Sequence, residues 1–263
     1  MIIIKFLGRT GNNIFQYAFG RILSKNLDIP YASKRLDIFP RADLGKSYYD
    51  SLKAAPEKSN IKILKKHIID VDSVIKNFKK EDVIVAEGYF QRSEYYMSYE
   101  SEIKKWLAFD KSYQSEVKKK YQINENCLGI HVRLGDYVGL GYTIKKDHLR
   151  KVINSALSSK KYIDRIIVVT DDKENSYHDL FQMYRKMNIN VEIVKNSSIE
   201  DFYLLTSFEN FIMSQSSFSW WAAFFSDSKN IFCPKTIDYG QWGIKSKPDI
   251  DLFYHKIKGV LCE

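Results

Sequence analysis

The chain has 263 residues, of which 44% are hydrophobic and 28% charged, and these shares exclude a disordered, collagen-like or membrane-bundle protein. Its formal net charge of +9 suits an anionic ligand, nucleic acid or an acidic membrane surface, and does not choose among them. Three widely spaced cysteines without a CxxC pair give no sign of a zinc or disulfide framework and favour a reducing cytoplasm.

An apolar run at the start predicts a buried strand over residues 2–7. This run is too short for a signal peptide, and we expect no membrane span because no stretch approaches about eighteen apolar residues. A tight glycine loop over 8–13 and a helix over 14–26 follow. Glycine lets the backbone approach a ligand closely, and a helix start favours an anion. Alone this loop is a weak signal, since it matches neither the dinucleotide-binding nor the P-loop pattern.

Residues 29–82 are irregular, and we interpret them as the variable, acceptor-facing part of the chain. The next predicted elements are a strand over 83–90, a helix over 93–107 and a charged helix over 111–121. A polar turn then places a boundary between two lobes near Gln122. We therefore expect an N-terminal, acceptor-side lobe over 1–122 and a C-terminal lobe over 123–263.

The sequence CLGIHVRLGDY at 127–137 carries the strongest sign of chemistry. Its apolar part predicts a short buried strand over 128–132, and the Gly-Asp pair turns the backbone at the carboxyl end of that strand. In open α/β sheets this end faces the ligand crevice. His131 and Arg133 lie two residues apart, so both side chains leave by one face, where a guanidinium suits a phosphate. The alternative is a plain strand end with a surface ion pair between Arg133 and Asp136.

Strands and helices alternate after this motif, which predicts a parallel sheet with right-handed crossovers. The predicted helices are 144–157, 173–187 and 198–208, and the predicted strands are 165–170, 191–194, 211–213 and 231–233. We expect Pro234 to end the last strand and the remaining residues to form a covering tail.

A serine-rich turn at 214–217 opens an aromatic helix. It is a second candidate anion site, because hydroxyls and unpaired backbone N–H groups converge at such a helix start. The alternative is a plain helix cap with Trp220 and Trp221 in the core.

Three blocks together resemble the α-1,2-fucosyltransferases of bacterial type, the eleventh glycosyltransferase family, and more widely the superfamily that uses GDP-fucose. GRTGNNIFQYA at 8–18 is similar to the family's GGLGNQMFQYA, HVRLGDY at 131–137 to HxRRGDY, and SQSSFSWWA at 214–222 to NSSFSWWGA. GYFQRS at 88–93 and TDD at 170–172 resemble two lesser family blocks. The resemblance covers nearly the whole chain. It departs from the family in that Leu134 replaces the second arginine and Asn13 the usual glutamine.

This resemblance implies an α/β fold of two Rossmann-like lobes, the GT-B type, with the GDP-sugar bound mainly by the C-terminal lobe and neither metal nor cofactor required. It implies that Arg133 holds the donor pyrophosphate and that His131 contacts the guanosine side. The other implied donor-binding residues are Gly11, Asn12, Asp201, Ser216, Ser217 and Phe218. In this set Asp201 accepts from guanine N–H groups, and residues 216–218 wrap the phosphate.

The implied reaction moves L-fucose, with inversion, from GDP-β-L-fucose to the 2-hydroxyl of a galactose-type acceptor in O-antigen or capsule synthesis. Asp136 is our candidate general base, and its alternative role is to orient Arg133 or the turn that follows it. The implied partners are the GDP-sugar and a galactose-containing glycan or lipid-linked oligosaccharide, without nucleic acid. We expect a cytoplasmic protein with peripheral contact to the inner face of the membrane.

Other activities fit the sequence less well. A metal-dependent transferase needs an Asp-x-Asp at a strand end, and the two such triplets, 70–72 and 249–251, follow no convincing strand. A hydrolase needs paired carboxylates or a Ser-His-Asp set, and no G-x-S-x-G pattern occurs. A nucleic-acid-binding module needs clustered basic residues, whereas those here are dispersed. A transferase that uses another GDP-deoxysugar, such as GDP-colitose, stays open on the same framework.

Overall fold

The computed structural model describes residues 1–53, 61–66, 68–79, 82–159, 162–172, 175–226, 228–235, 250–252 and 256–262. The chain divides into two compact units. The N-terminal unit comprises Met1–Phe109 together with residues 250 and 251, and the C-terminal unit begins at Asp110. Asp249 of the second Asp-x-Asp triplet and residues 236–248 of the expected tail lie outside the described residues.

The division lies between residues 109 and 110, which corrects the boundary expected between 122 and 123. The cause is the helix Lys111–Lys120, which packs against the helix Ser198–Leu205 of the C-terminal unit. The backbone N–H of Asp110 also donates to the Tyr203 hydroxyl at 3.1 Å. The polar turn near Gln122 therefore falls inside the second unit. The acceptor and donor roles of the two lobes stay predictions.

A parallel sheet of four strands, in the order β2-β1-β4-β3, forms the centre of the N-terminal unit. Its strands are β1 (Ile2–Ile4), β2 (Tyr31–Ser33), β3 (Ile61–Leu64) and β4 (Val83–Ala86). Its helices are α1 (Thr10–Leu27), α2 (Tyr48–Lys53), α3 (Val71–Lys76) and α4 (Glu100–Trp106). The central strands β1 and β4 are apolar and buried throughout, as expected of parallel strands covered on both faces.

Two stretches of this unit differ from the sequence-based expectation. Helix α1 begins at Thr10 rather than at Ile14, because the turn is completed by Gly8, whose φ is 73°. Strand β4 stops at Ala86, where its pairing with β1 and β3 also ends, and the expected last residue, Phe90, has a positive φ of 50°. The helix expected over 93–107 is instead two 3-10 turns, Ser93–Tyr95 and Met97–Tyr99, followed by α4.

A parallel sheet of six strands, in the order β10-β9-β8-β5-β6-β7, forms the centre of the C-terminal unit. Its strands are β5 (Cys127–Val132), β6 (Arg165–Thr170), β7 (Asn190–Val194), β8 (Asn210–Ile212), β9 (Asn230–Lys235) and β10 (Ile257–Leu261). Its helices are α5 (Lys111–Lys120), α6 (Tyr137–Leu140), α7 (Lys146–Ser158), α8 (His178–Lys186), α9 (Ser198–Leu205) and α10 (Ser217–Phe225). The predicted parallel sheet and the βα alternation are confirmed.

The register of the sheet decides which residues face the core. Ile130 of β5, Ile212 of β8 and Phe232 of β9 are aligned partners, and all three lie in one apolar cluster with the buried side chains of α7 and α8. Because side chains alternate along a strand, the side chain of His131 points to the face of the sheet opposite Ile130. The ring of His131 there contacts Phe218 of α10, with centroids 5.7 Å apart.

The end of the chain corrects two expectations. Strand β9 continues through Pro234 to Lys235, because β8 pairs with β9 only as far as Phe232 and needs no N–H from residue 234. The expected covering tail contributes β10, which pairs in parallel with β9 over Ile257–Leu261. None of the helices in the described ranges is long and apolar enough to cross a membrane.

Candidate active site

The order in which strands are added to the sheet of the C-terminal unit reverses between β5 and β8. From β5 the chain adds β6 and β7 on one side, and it then returns to add β8, β9 and β10 on the other. Ligands of open α/β sheets bind outside the carboxyl ends of the strands at such a switch point. The loops that leave β5 and β8 carry the HVRLGDY and SQSSFSWWA sequences, so the topology brings the two motifs to one place.

His131, at the end of β5, is buried and held by its neighbours. Its Nδ1 lies 2.8 Å from Ser214 Oγ in the loop after β8. Burial, with the positive charge of Arg133 nearby, lowers the pKa of His131 to about 4. The imidazole is therefore neutral near pH 7 and acts as a hydrogen-bonding group, not as a cation.

Arg133 is held by two carboxylates. Its Nη2 donates to Asp136 Oδ1 at 2.6 Å, and its Nη1 donates to Asp171 Oδ2 at the end of β6. The other oxygen of Asp171 accepts from the backbone N–H of Leu134 at 2.7 Å. Gly135 leaves room for this arrangement, since a Cβ there would lie 2.5 Å from Asp171 Oδ2. The guanidinium is thus oriented in a defined plane, as bidentate recognition of a phosphate requires.

Two hydrogen bonds hold the serine loop after β8 in place. The backbone N–H of Ser214 donates to Ser219 Oγ at 3.2 Å, and Gln215 Nε2 donates to the carbonyl of Pro234 at 2.9 Å. Ser216 has the extended backbone of a helix N-cap but makes no side-chain capping bond. The first amides of α10, from Ser217 onward, have no acceptor within the helix. Hydroxyls and amides therefore gather at the positive end of a helix, beside the strand that carries Arg133.

Tyr137 connects the two motifs. Its hydroxyl donates to the carbonyl of Gln215 at 3.3 Å and also contacts the Ser216 side chain. Burial raises its pKa to about 12, so it stays protonated as a donor. Tyr137, His131 and Arg133 line one partly open pocket at this edge. The remaining lining residues are Tyr142, Ile144, Leu149, Ile212, Met213, Ser214, Gln215 and Pro234.

Asp201 lies in the first turn of α9 and is half-buried. Its Oδ1 accepts from the backbone N–H of Asn196 at 3.2 Å and from Asn196 Nδ2 at 3.1 Å. Burial raises the pKa of Asp201 to about 6, and the charges of Glu200 and Asp171 act in the same direction. Asp201 therefore interacts electrostatically with Asp171, the carboxylate that also holds Arg133.

The predicted site residues divide between the two units. His131, Arg133, Asp136, Asp201 and residues 216–218 all belong to the C-terminal unit. Gly11 and Asn12 belong to the N-terminal unit, in the first turn of α1, where Asn12 Oδ1 accepts from Gln91 Nε2 at 2.8 Å. Their contact with a donor stays a prediction.

Nearby, Gln16 fixes the glycine loop. Its Oε1 accepts from the backbone N–H of Leu7 at 2.9 Å, and its Nε2 donates to the carbonyl of Gly88 at 2.9 Å. Asn13, the residue that departs from the family pattern, donates to the carbonyl of Leu7 at 3.2 Å. The glycine loop is therefore held by side-chain amides within its own unit.

Sequence reasoning assigned no role to Asp171 or Tyr137, although both lie in blocks that resemble the family. The available signal for Asp171 was its position directly after a strand of the same sheet. The buried Leu134 packs into the core below, so the HVRLGDY motif provides one cation. Within the described ranges, no three His, Cys, Asp or Glu side chains gather in a way that could hold a metal ion.

Comparison with known proteins gives a family match and a fold match. The sequence profile of glycosyl transferase family 11 matches residues 57–239. The crystal structure of fucosyltransferase NodZ from Bradyrhizobium is similar, with a TM-score of 0.54 and 13% identity over 88% of this chain and 92% of that one. A structure of NodZ alpha-1,6-fucosyltransferase soaked with GDP-fucose has a TM-score of 0.53, with 13% identity over 88% of this chain and 93% of that one.

A glycosyl transferase of family 9 from Veillonella parvula DSM 2008 has a TM-score of 0.52 and 9% identity, over 100% of this chain and 86% of that one. No curated protein sequence matches significantly. At these identities the structural likenesses show the fold alone. They confirm the α/β fold class with two Rossmann-like lobes of GT-B type.

Proposed function

Because this chain belongs to glycosyl transferase family 11, we propose that it transfers L-fucose from GDP-β-L-fucose to the 2-hydroxyl of a galactose-type acceptor. The observation that carries the proposal is the meeting of Arg133 and the serine loop at the switch point of the C-terminal sheet. The likeness to NodZ, a fucosyltransferase whose crystals were soaked with GDP-fucose, supports the choice of donor.

The leaving group of this reaction is GDP, so charge develops on its diphosphate as the sugar bond breaks. Fixed cations and dipoles at that position stabilise the transition state more than the bound substrate. Arg133 supplies the guanidinium, and the start of α10 with Ser216, Ser217 and Phe218 supplies hydroxyl and amide donors. The proposal assigns the leaving diphosphate to protein groups and not to a metal ion.

The guanosine end of the donor lies with His131 and Asp201 in this proposal. His131 is neutral and buried, which suits hydrogen bonding to an uncharged base or ribose. Asp201 presents a carboxylate that accepts from two guanine N–H groups, whereas adenine and uracil offer a different pattern. Gly11 and Asn12 complete the proposed donor-binding set.

The proposed chemistry is a single displacement with inversion, which requires no covalent nucleophile on the protein. The acceptor hydroxyl loses a proton to a carboxylate within hydrogen-bond reach. Asp136 is the candidate base, but its Oδ1 is engaged by Arg133 at 2.6 Å. This contact favours the alternative role of Asp136, which is to orient Arg133 for the phosphate.

We place the reaction in the synthesis of surface glycans, an O-antigen or a capsule, with a galactose-containing glycan or lipid-linked oligosaccharide as acceptor. The enzyme would then work in the cytoplasm, in peripheral contact with the inner face of the membrane. Support for this setting comes from the family resemblance of the motifs.

A donor screen tests the function. The purified protein is incubated in EDTA with galactosides and with GDP-fucose, GDP-mannose, GDP-colitose or UDP-galactose, and released nucleotide is measured. We expect GDP release from GDP-fucose that depends on the acceptor, and NMR of the product should show an α-1,2 linkage. Preferential use of GDP-colitose would show that GDP-colitose, not GDP-fucose, is the donor. Activity that returns only with added manganese would contradict metal independence.

A further inference from the structure

We infer that Lys235, at the end of β9, is a second cation of the diphosphate site, and this inference rests on the proposed use of a GDP-sugar. The need for such a group follows from the charges around Arg133. Its guanidinium is shared with Asp136 and Asp171, while a nucleoside diphosphate brings several negative charges of its own. One cation opposed by two carboxylates leaves the developing charge on the leaving group only partly compensated.

The register of the sheet puts Lys235 at the required level. Ile130, Ile212 and Phe232 are aligned across β5, β8 and β9. Arg133 is the first residue after β5, Lys235 is the last residue of β9, and each lies three positions beyond its aligned residue. Since residues three positions apart along a strand face opposite ways, both leave the sheet opposite the core that contains Ile130, on the face of His131.

The separation also suits a ligand between the two cations. Strands β5 and β9 flank β8, so their carboxyl ends stand about 10 Å apart, which is twice the spacing of neighbouring strands. The loop that leaves β8 between these two strand ends carries Ser216 and leads into α10.

Lys235 is fixed relative to this loop. Its carbonyl accepts from the backbone N–H of Cys262 at 3.0 Å, and its partner in β10 is Leu261. The carbonyl of the preceding residue, Pro234, accepts the hydrogen bond from Gln215 Nε2 at 2.9 Å. One side-chain bond thus couples the strand end that carries Lys235 to the serine loop.

Among the described strand ends, the other lysine at this edge follows β7, at Lys195. Strand β7 is separated from β5 by β6 and lies on the side away from β8. Lys195 is therefore on the far side of Asp171 from the serine loop. Topology selects Lys235 as the cation that shares the loop after β8 with Arg133.

The test measures the binding of GDP, GMP and guanosine by calorimetry to the parent protein and to Lys235→Gln and Lys235→Arg. Lys229→Gln is the matched control, because Lys229 stands before the amino end of the same strand, is exposed and pairs with Glu209 at 3.3 Å. We expect Lys235→Gln to weaken GDP about tenfold or more, as the loss of one charge-assisted hydrogen bond implies. Guanosine affinity should stay unchanged.

Lys235→Arg should retain most of the GDP affinity, and this comparison of two long side chains separates charge from a folding defect. Lys229→Gln should bind like the parent. Equal GDP affinity in Lys235→Gln and the parent would overturn the inference while leaving the proposed function intact. A parent protein that binds neither GDP nor guanosine would overturn both, and an equal loss for GDP and guanosine would show that Lys235 acts on the fold and not on the phosphates.

Discussion

Replacing Arg133 by lysine should nearly abolish transfer while keeping the positive charge. The arginine makes two hydrogen bonds in one plane, to Asp136 and to Asp171. An ammonium is a point charge on a flexible stem, so it cannot hold both carboxylates and a phosphate in that geometry. The charge stays and the orientation is lost.

The size of the effect follows from these contacts. A hydrogen bond to a charged group contributes about 1.5–3 kcal/mol, and deleting one donor at a site of developing charge costs about 3 kcal/mol in activation free energy. At about 1.4 kcal/mol for each factor of ten, kcat/KM should fall by about a hundredfold or more in Arg133→Lys. Arg133→Ala should lose at least as much, with the fold intact.

Initial rates of GDP release give kcat/KM, and thermal unfolding reports the fold. The matched control is Arg165→Lys. Arg165 is 21% exposed against 20% for Arg133, and it bonds to Glu192 at 2.6 Å and to the carbonyl of Tyr121 at 2.8 Å. It begins β6, at the opposite edge of the sheet. A near-normal kcat/KM in Arg133→Lys, or an equal loss in Arg165→Lys, would refute the phosphate role.

Two further predictions concern carboxylates of the same unit. GDP affinity should be full near pH 7 and above and fall as the pH drops through about 6, because burial raises the pKa of Asp201 to about 6 and only the ionised form accepts two guanine N–H bonds. Calorimetry across pH 5–8 should find this dependence absent in Asp201→Asn, and this variant should also discriminate less among GDP, ADP and UDP. Asp136→Asn should weaken GDP and lower kcat together if Asp136 orients Arg133, as their contact indicates, whereas a lower kcat at unchanged GDP affinity would assign it the role of base.

Local sequence patterns predicted much of the C-terminal unit. The strand that ends at Val132 was predictable because a parallel strand covered on both faces is a continuous apolar run. The serine-rich start of α10 was predictable because hydroxyl residues before an aromatic run mark a helix start. Both loops were therefore proposed as ligand sites, and the topology brings them together.

Features that depend on distant residues were not predictable from local patterns. Arg133 and Asp171 are 38 positions apart, and only the pairing of β5 with β6 brings them into contact. The continuation of β9 through Pro234 depends on where β8 ends. The unit boundary depends on the packing of α5 against α9, which the polar turn near Gln122 does not reveal.

The amide of Gln16 has a consequence for how the N-terminal unit forms during synthesis. Its Nε2 donates to the carbonyl of Gly88, 72 residues later in the chain, and its side chain is fully buried. Before Gly88 has left the ribosome, a nascent chain would have to bury the Gln16 amide without its acceptor, at a cost of about 1–3 kcal/mol. The glycine loop beside Leu7 therefore reaches its final form only after Gly88 has left the ribosome, although the loop itself emerges among the first residues.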